Sequence, residues 1–413
     1  MVKSLYELGE MPPLGEVPEK MYANLIRPDR YGEPIKSFAV EVIDTPKPGP
    51  GQVLVWVMAA GINYNNVWAG LGFPLDVIRA RQKAGEPENF HIGGSEGSGV
   101  VFAVGENVAG VKIGDHVVLS GGQWDEHAED IRLGTDPTMA DSTKAWGFES
   151  NFGSFAQFAL VQDFQCHPKP KNLTWESAAS FILTGATAYR QLFGWAGNTV
   201  QPGDPVLVWG GAGGLGSIAI QLVRNAGGLP VAVVSSDERG EYCRKLGAVG
   251  YIDRTKFTHW GRMPDLMDPA YGEWMGQVRA FGKAFWQELG ERRAPRIVFE
   301  HSGQDTIPTS MYLCDTGGMV VICGGTSGYA ADVDLRFLWM RQKRLQGSHG
   351  FNPSQVRAMI QLVSAGLVDP CLSDPFTFDK IGDAHQLMHE NRQPPGNMAA
   401  LVNASRAGLT DLG

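Results

Sequence analysis

The sequence predicts a mixed α/β protein: a β-rich first domain, a doubly wound parallel sheet, and a return of the chain to the first domain. Three observations carry this reading. The apolar run Val206-Leu207-Val208-Trp209 turns through glycines into an apolar-periodic segment over residues 218–223, the pattern of a buried strand followed by a helix. From about residue 188 to 347 short apolar runs alternate with helical patterns, whereas the residues before 173 form short runs punctuated by Pro and Gly. With 413 residues the chain is also too long for one ordinary core. The expected boundaries are 1–187, 188–350 and 351–413.

Residues 1–20 read as a lead-in arm, possible as an interface element. Strands are expected over 37–42 and 53–58, joined by the turn Pro46-Lys47-Pro48-Gly49-Pro50-Gly51. Residues 93–101 and 111–118 continue this β pattern. Residues 173–190 turn helical, with Thr174 as N-cap and Glu176 in the first turn. The expected strands of the second domain are 206–209, 230–234, 251–252, 296–299, 318–323 and 344–347. The long connection 254–296 carries Phe257, Trp260, Trp274, Phe281, Phe285 and Trp286; satellite packing, a subunit contact or a ligand wall all remain open for it. A helix over 354–365 follows Pro353.

Gly211, Gly213 and Gly216 fit G-x-G-x-x-G. The first permits a tight turn, the second lets backbone approach a pyrophosphate, and the third lets helix pack on strand. Gly214 and Leu215 complete this cofactor-binding turn, at a helix N-terminus that offers free N–H groups to phosphate. The next strand ends in Ser235-Ser236-Asp237-Glu238-Arg239, with Arg244 one turn on. Hydroxyls and cations suit a 2′-phosphate, so Ser235, Ser236, Arg239 and Arg244 favour NADP(H). Asp237 could accept from a ribose hydroxyl, which keeps NAD open, and both arginines could belong to a solvated helix face.

A net charge of −9 argues against nucleic acid as the main partner. Five scattered cysteines form no C-x-x-C pair, which fits a reducing cytoplasm. The N-terminus is no signal peptide, and no apolar stretch is long enough to span a bilayer, so no membrane partner is expected.

Gly93-Gly94-Ser95-Glu96-Gly97-Ser98-Gly99 resembles the G-H-E-G-x-G segment of the medium-chain dehydrogenase/reductases, and Lys112-Ile113-Gly114-Asp115-His116-Val117 resembles their K-x-G-D-x-V turn. That superfamily joins a GroES-like β-rich catalytic domain to a Rossmann nucleotide domain. At the places where its zinc enzymes carry a cysteine and a histidine, this chain has Asn63 and Ser95, so no metal is expected. A closer resemblance is to the crotonyl-CoA carboxylase/reductases. It rests on Asn63-Tyr64-Asn65-Asn66-Val67-Trp68, Trp146-Gly147-Phe148-Glu149-Ser150-Asn151-Phe152-Gly153, Thr187-Ala188-Tyr189-Arg190, Phe299-Glu300-His301, Thr326-Ser327-Gly328-Tyr329 and Gly347-Ser348-His349.

The resemblance implies hydride transfer from NADPH to Cβ of a 2-enoyl-CoA and attack of the resulting enolate on CO2. It assigns the CO2-holding amide to Asn65. Phe148 is to present a backbone N–H and a water-excluding ring, and Glu149 with His349 is to fix an ordered water. Thr187 joins the cofactor set, and Asn63, Tyr329 and Arg336 join the substrate set. It also implies a homo-oligomer, a tetramer. From the residues alone, Asn63 and Asn65 could be turn or capping groups, Phe148 a core aromatic, Glu149 a surface carboxylate and His349 a core histidine. Two other functions stay open: a reductase of the same scaffold that ends in protonation, of the enoyl-thioester or quinone type, and a non-catalytic NADPH-binding protein. The segment 71–91, Asn66, and Gly350-Phe351-Asn352-Pro353 depart from the family pattern and leave the acyl chain length open.

Overall fold

The computed structural model describes residues 3–412. The chain divides into two compact units, one of residues 1–183, 352–365 and 370–413, the other of 184–351 and 366–369. The second unit thus begins within a helix, four residues before the expected boundary. It also takes back residues 366–369, because Gln221 donates to the Asp369 carbonyl at 3.0 Å and Asn225 to the Leu367 carbonyl at 2.7 Å.

The first unit is built on β1, Gln52–Ile62, whose residues from Val53 onward are all buried. Its run Val-Leu-Val-Trp-Val-Met-Ala-Ala suits a strand covered on both faces. Helix α1, Asn65–Leu71, follows, ending at Gly72 with φ 65°. β2, Gly97–Val104, pairs antiparallel with β1, matching Ala60 to Gly97. That register sets the residues just after β1 beside those just before β2. Strands Cys166–Pro168, His116–Leu119, Met398–Leu401 and Phe376–Thr377 extend the sheet, with Phe158–Gln162 also on β1. The lead-in arm packs on this same unit: Tyr6 is buried, and Gln157 donates to its carbonyl at 3.2 Å.

The expected single helix over 173–190 is two helices. Thr174 caps Trp175–Ala178, accepting from the Ser177 N–H at 3.3 Å. The chain then breaks at 179–181, and α2, Ile182–Phe193, starts afresh. The Glu96 carboxylate accepts the Leu183 N–H at 2.9 Å, so the new start is capped from another segment.

The second unit is a six-stranded, all-parallel sheet. In chain order its main elements are β3 Pro205–Val208, α3 Gly214–Asn225, β4 Leu229–Val234, α4 Asp237–Lys245, β5 Gly250–Asp253, α5 Ala270–Leu289, β6 Ile297–Glu300, β7 Met319–Ile322, α6 Leu335–Met340 and β8 Arg344–Gly347, with a short helix, Ile307–Leu313, between β6 and β7. The spatial order β5-β4-β3-β6-β7-β8 is the doubly wound arrangement, with its switch point between β3 and β6. Of the aromatics of 254–296, three are core and Phe257, Trp260 and Trp286 are partly buried against it. Trp274, Phe281 and Phe285 are buried on α5, and Phe281 stacks on Trp209 with centroids 5.5 Å apart and planes 3° off parallel. Burial of each such ring stabilises the unit by about 2 kcal/mol, so packing is the role of Trp274, Phe281 and Phe285. Among the described residues no disulfide joins the five cysteines. Among the described residues no helix is long and apolar enough to cross a membrane.

Candidate active site

The ends of β1 and β2 assemble a cluster of buried carboxamides. Asn63 Nδ2 donates to Glu96 Oε1 at 2.7 Å, and Glu96 is buried. Burial pushes the Glu96 carboxyl up to about 7, against hydrogen bonds from Asn63 and from the Leu183 and Ile182 amides that favour the charged form. Asn65 Nδ2 donates to Ser95 Oγ at 2.7 Å, and Asn66 Nδ2 donates to Asn65 Oδ1 at 3.1 Å. Asn65 is half-buried, while Asn66 and Ser95 are buried. Asn63 and Asn65 are therefore each bonded to a residue just before β2 rather than isolated turn caps.

The Trp-Gly-Phe-Glu loop leans on the same ground. Ser154 N–H donates to Gly94 O and Phe155 N–H to Gly93 O, both at 3.0 Å, and His91 Nε2 lies 3.3 Å from Gly147 O. A Cβ at Gly147 would strike the Gly94 carbonyl, so loop and segment touch backbone to backbone. The Phe148 ring centroid sits 6.4 Å from that of Trp68, which is 5.4 Å from that of Tyr64, so the three rings make one aromatic row. Glu149 Oε2 accepts the Ala145 N–H at 2.7 Å. One expectation is corrected here. The Phe148 N–H is not held open for a ligand but donates to the Ala145 carbonyl at 3.1 Å, because residues 145–149 form a tight turn.

In the second unit the glycine turn follows β3 at the switch point. The left-handed residue is Gly210, with φ 58°, rather than Gly211, and a Cβ there would fall on the His301 ring. Gly211 instead clears β4: its Cβ would lie 2.7 Å from Ala232 Cβ. Gly216 packs α3 onto the turn, and Gly213 is open, its Cβ meeting only Gly210 O at 3.4 Å. Gly214 and Leu215 form the first turn of α3 with Gly213 as N-cap. An open backbone at a helix N-terminus fits a dinucleotide pyrophosphate.

At the ribose end, Ser235 and Ser236 are half-buried. Ser236 Oγ caps α4 by accepting the Arg239 N–H at 3.3 Å. Arg244 is turned aside, 3.1 Å from Glu288 and 5.2 Å over the Tyr251 ring. Asp237 accepts from the Tyr251 hydroxyl at 3.3 Å and lies 3.9 Å from Lys256 Nζ, which engages the one carboxylate that kept NAD open.

Thr187 is half-buried on α2, and His349 is exposed just past β8. Tyr329 is exposed, and Arg336 is gripped by Asp334 at 2.6 Å and Tyr271 at 3.1 Å. The structure thus gathers Asn63, Asn65, Phe148 and Glu149 in one unit and the cofactor glycines in the other. The sequence reading passed over Asn66, Ser95 and Glu96 as functional groups. Their signal was the Asn-Tyr-Asn-Asn run opposite Gly-Ser-Glu, meaningful only once the β1–β2 register is known.

Residues 49–171 match the family described as alcohol dehydrogenase GroES-like domain, and residues 214–365 the family described as zinc-binding dehydrogenase. The zinc of the second description does not fit here. Asn63 is spent on Glu96 and Ser95 on Asn65, and among the described residues no three His, Cys, Asp or Glu converge. The crotonyl-CoA carboxylase/reductase of Cereibacter sphaeroides is 47% identical over 98% of this chain and 93% of its own. The solved structure of the crotonyl-CoA carboxylase/reductase AntE in complex with NADP is 63% identical, covering 98% of this chain and 100% of that one, with a TM-score of 0.94. The 2-octenoyl-CoA carboxylase reductase CinF, solved with NADP and 2-octenoyl-CoA, is 36% identical, covers 96% and 90% of the two chains and has a TM-score of 0.87.

Proposed function

Because this chain belongs to the crotonyl-CoA carboxylase/reductase family, we propose that it carries out NADPH-dependent reductive carboxylation of a 2-enoyl-CoA to an alkylmalonyl-CoA. Bound NADPH supplies the hydride that adds to Cβ of the enoyl thioester. The electron pair left at Cα and the thioester oxygen then attacks CO2, forming the Cα–carboxylate bond with no proton taken up at Cα. The protein has to hold an apolar, linear CO2, stabilise developing carboxylate charge and exclude water that would protonate Cα. Asn65 supplies a neutral amide donor suited to weak bond dipoles. The Phe148, Trp68 and Tyr64 rings shed water from that side. Glu149 and His349 are assigned the ordered water, and Asn63, Tyr329 and Arg336 the thioester side. Ser235, Ser236 and Arg239 are assigned the 2′-phosphate, and Thr187 and Arg244 complete the cofactor set.

The observation that carries this reading is the half-buried Asn65 carboxamide, hydrogen-bonded to Ser95 on one side and Asn66 on the other. The test is product analysis by mass spectrometry with crotonyl-CoA and NADPH, with and without bicarbonate and carbonic anhydrase. Ethylmalonyl-CoA as main product is expected. Butyryl-CoA alone at saturating CO2 would make the protein a plain reductase, a reading favoured by the Phe148 N–H being already donated to Ala145. Glu149→Ala and His349→Asn should each shift the product toward the saturated acyl-CoA, and an unchanged product ratio in both would remove them from the CO2 site.

The partners are an acyl-CoA and CO2. A homo-oligomer is also supported, since β8 ends the sheet with Leu345 exposed and α6 bears the exposed Leu335, Trp339 and Met340. Light scattering should give a mass of two or four chains. Cysteines without a disulfide among them support a reducing, cytoplasmic setting.

A further inference from the structure

The carboxamide that faces the reaction must present an N–H, not a carbonyl oxygen, and nothing in Asn65 itself decides which. An amide can rotate half a turn about its Cβ–Cγ axis and exchange the two groups at little cost, so its orientation is set by its neighbours. Here the neighbours leave one answer. The Gly94 backbone N–H, which can only donate, lies 3.2 Å from Asn66 Oδ1. That fixes the oxygen end of Asn66 and turns its Nδ2 toward Asn65, 3.1 Å away. Asn65 must therefore show Oδ1 to Asn66 and Nδ2 to Ser95 Oγ at 2.7 Å. One Nδ2 hydrogen is used on Ser95, and the second is left on the half-buried side of the amide.

The chain of bonds is also sterically enforced. A Cβ at Gly93 would land on Asn66 Oδ1, so that glycine makes room for the acceptor. Asn66 and Ser95 are both buried, which makes an unmade bond at either costly and the arrangement persistent.

We infer that Asn66 and Ser95 are positioning residues that lock the Asn65 carboxamide with its N–H directed at the bound CO2. This role rests on the carboxylase reading above. In Asn66→Asp the Gly94 N–H keeps its acceptor, but a carboxylate oxygen faces Asn65 Oδ1. Asn65 then turns its Nδ2 to Asp and its oxygen to the substrate side. In Ser95→Ala the other anchor is lost.

The experiment measures, for wild type, Asn65→Ala, Asn66→Asp, Ser95→Ala and the Asn65→Ala/Asn66→Asp double variant, the ratio of carboxylated to reduced product and KM for CO2. Circular dichroism and thermal melting check folding. We expect Asn66→Asp to raise KM for CO2 about tenfold, the loss of one oriented hydrogen bond, with the double variant no worse than Asn65→Ala alone. Ser95→Ala reports the same loss from the other end, should Asn66→Asp fold poorly. A carboxylating wild type whose Asn66→Asp and Ser95→Ala variants keep its product ratio overturns the positioning role and leaves the carboxylase reading standing. Additive losses in the double variant also overturn it, since Asn66 would then act independently of Asn65. A wild type that yields only the saturated acyl-CoA overturns the carboxylase reading, and this role with it.

Discussion

The turn after β3 and the cluster after β1 both stand at strand ends, yet one is shaped by missing side chains and the other by present ones. Around Gly210, Gly211 and Gly216 a single added carbon would meet His301, Ala232 or the turn's own backbone, so the site exists because those carbons are absent. Around Asn65 the shape comes from five polar side chains, Asn63, Asn65, Asn66, Ser95 and Glu96, that hydrogen-bond among themselves in a mostly buried space. Absence makes a site whose failure is steric and abrupt. Mutual satisfaction makes one whose failure is directional and pH-dependent.

The largest effect that sharpens this contrast belongs to Glu96. Its folded carboxyl, raised to about 7 from an ordinary value of 4.5 by burial, binds its proton more tightly than the unfolded chain does. Its burial therefore weakens the fold as pH climbs through that window and costs nothing below 4.5. Relative to Glu96→Gln, the wild type should lose about 3 kcal/mol of stability between pH 4.5 and 7, read from urea melts of both proteins. A constant difference across those pH values would show that Glu96 stays charged throughout. Glu300 in the second unit, held up to about 6 by burial, should give a smaller drift of the same sign in Glu300→Gln.

Next comes the glycine turn. Gly216→Val should lower stability by about 2 kcal/mol, because the new carbons overlap backbone rather than a movable side chain. Thermal melting that stays at the wild-type midpoint would deny the turn its steric character. Smaller is Arg239→Ala, expected to raise KM for NADPH about tenfold while leaving KM for NADH unchanged, the loss of one charge-assisted bond. Equal effects on both cofactors would remove Arg239 from the 2′-phosphate. Smallest is Arg244→Ala, whose guanidinium already serves Glu288 and Tyr251 at a solvated surface. It should change cofactor KM less than threefold, and a large rise would mean that Arg244 swings onto the phosphate.

How far each region could be read in the sequence follows the same divide. The glycine turn was legible because strand, turn and helix are contiguous, and a glycine's meaning is local; even so, the left-handed residue proved to be Gly210, one place before the motif begins. The Thr174 cap was legible for the same reason. The break at 179–181 was not, since Glu96, distant in sequence, caps the second helix. Asn66 stood out only as unusual, and Ser95 only as a non-ligand. The Ser95–Asn65 and Gly94–Asn66 bonds join residues 30 and 28 positions apart, and only the pairing of β1 with β2 brings them within reach. The Phe148 N–H could not be foreseen as occupied, because its partner depends on the path of the turn rather than on residue type.

Gly213 carries a consequence for how this lineage changes over generations. Its backbone is ordinary, with φ −80°, and an added methyl meets only Gly210 O at 3.4 Å. Alanine there leaves the domain able to fold, and its cost falls on whatever approaches the backbone from outside. Drift in a descendant freed from catalysis would therefore alter Gly213 before Gly210, Gly211 or Gly216, which folding itself protects. A homologue that keeps the other three and has lost this one has the history of a protein that stopped holding its dinucleotide while continuing to fold.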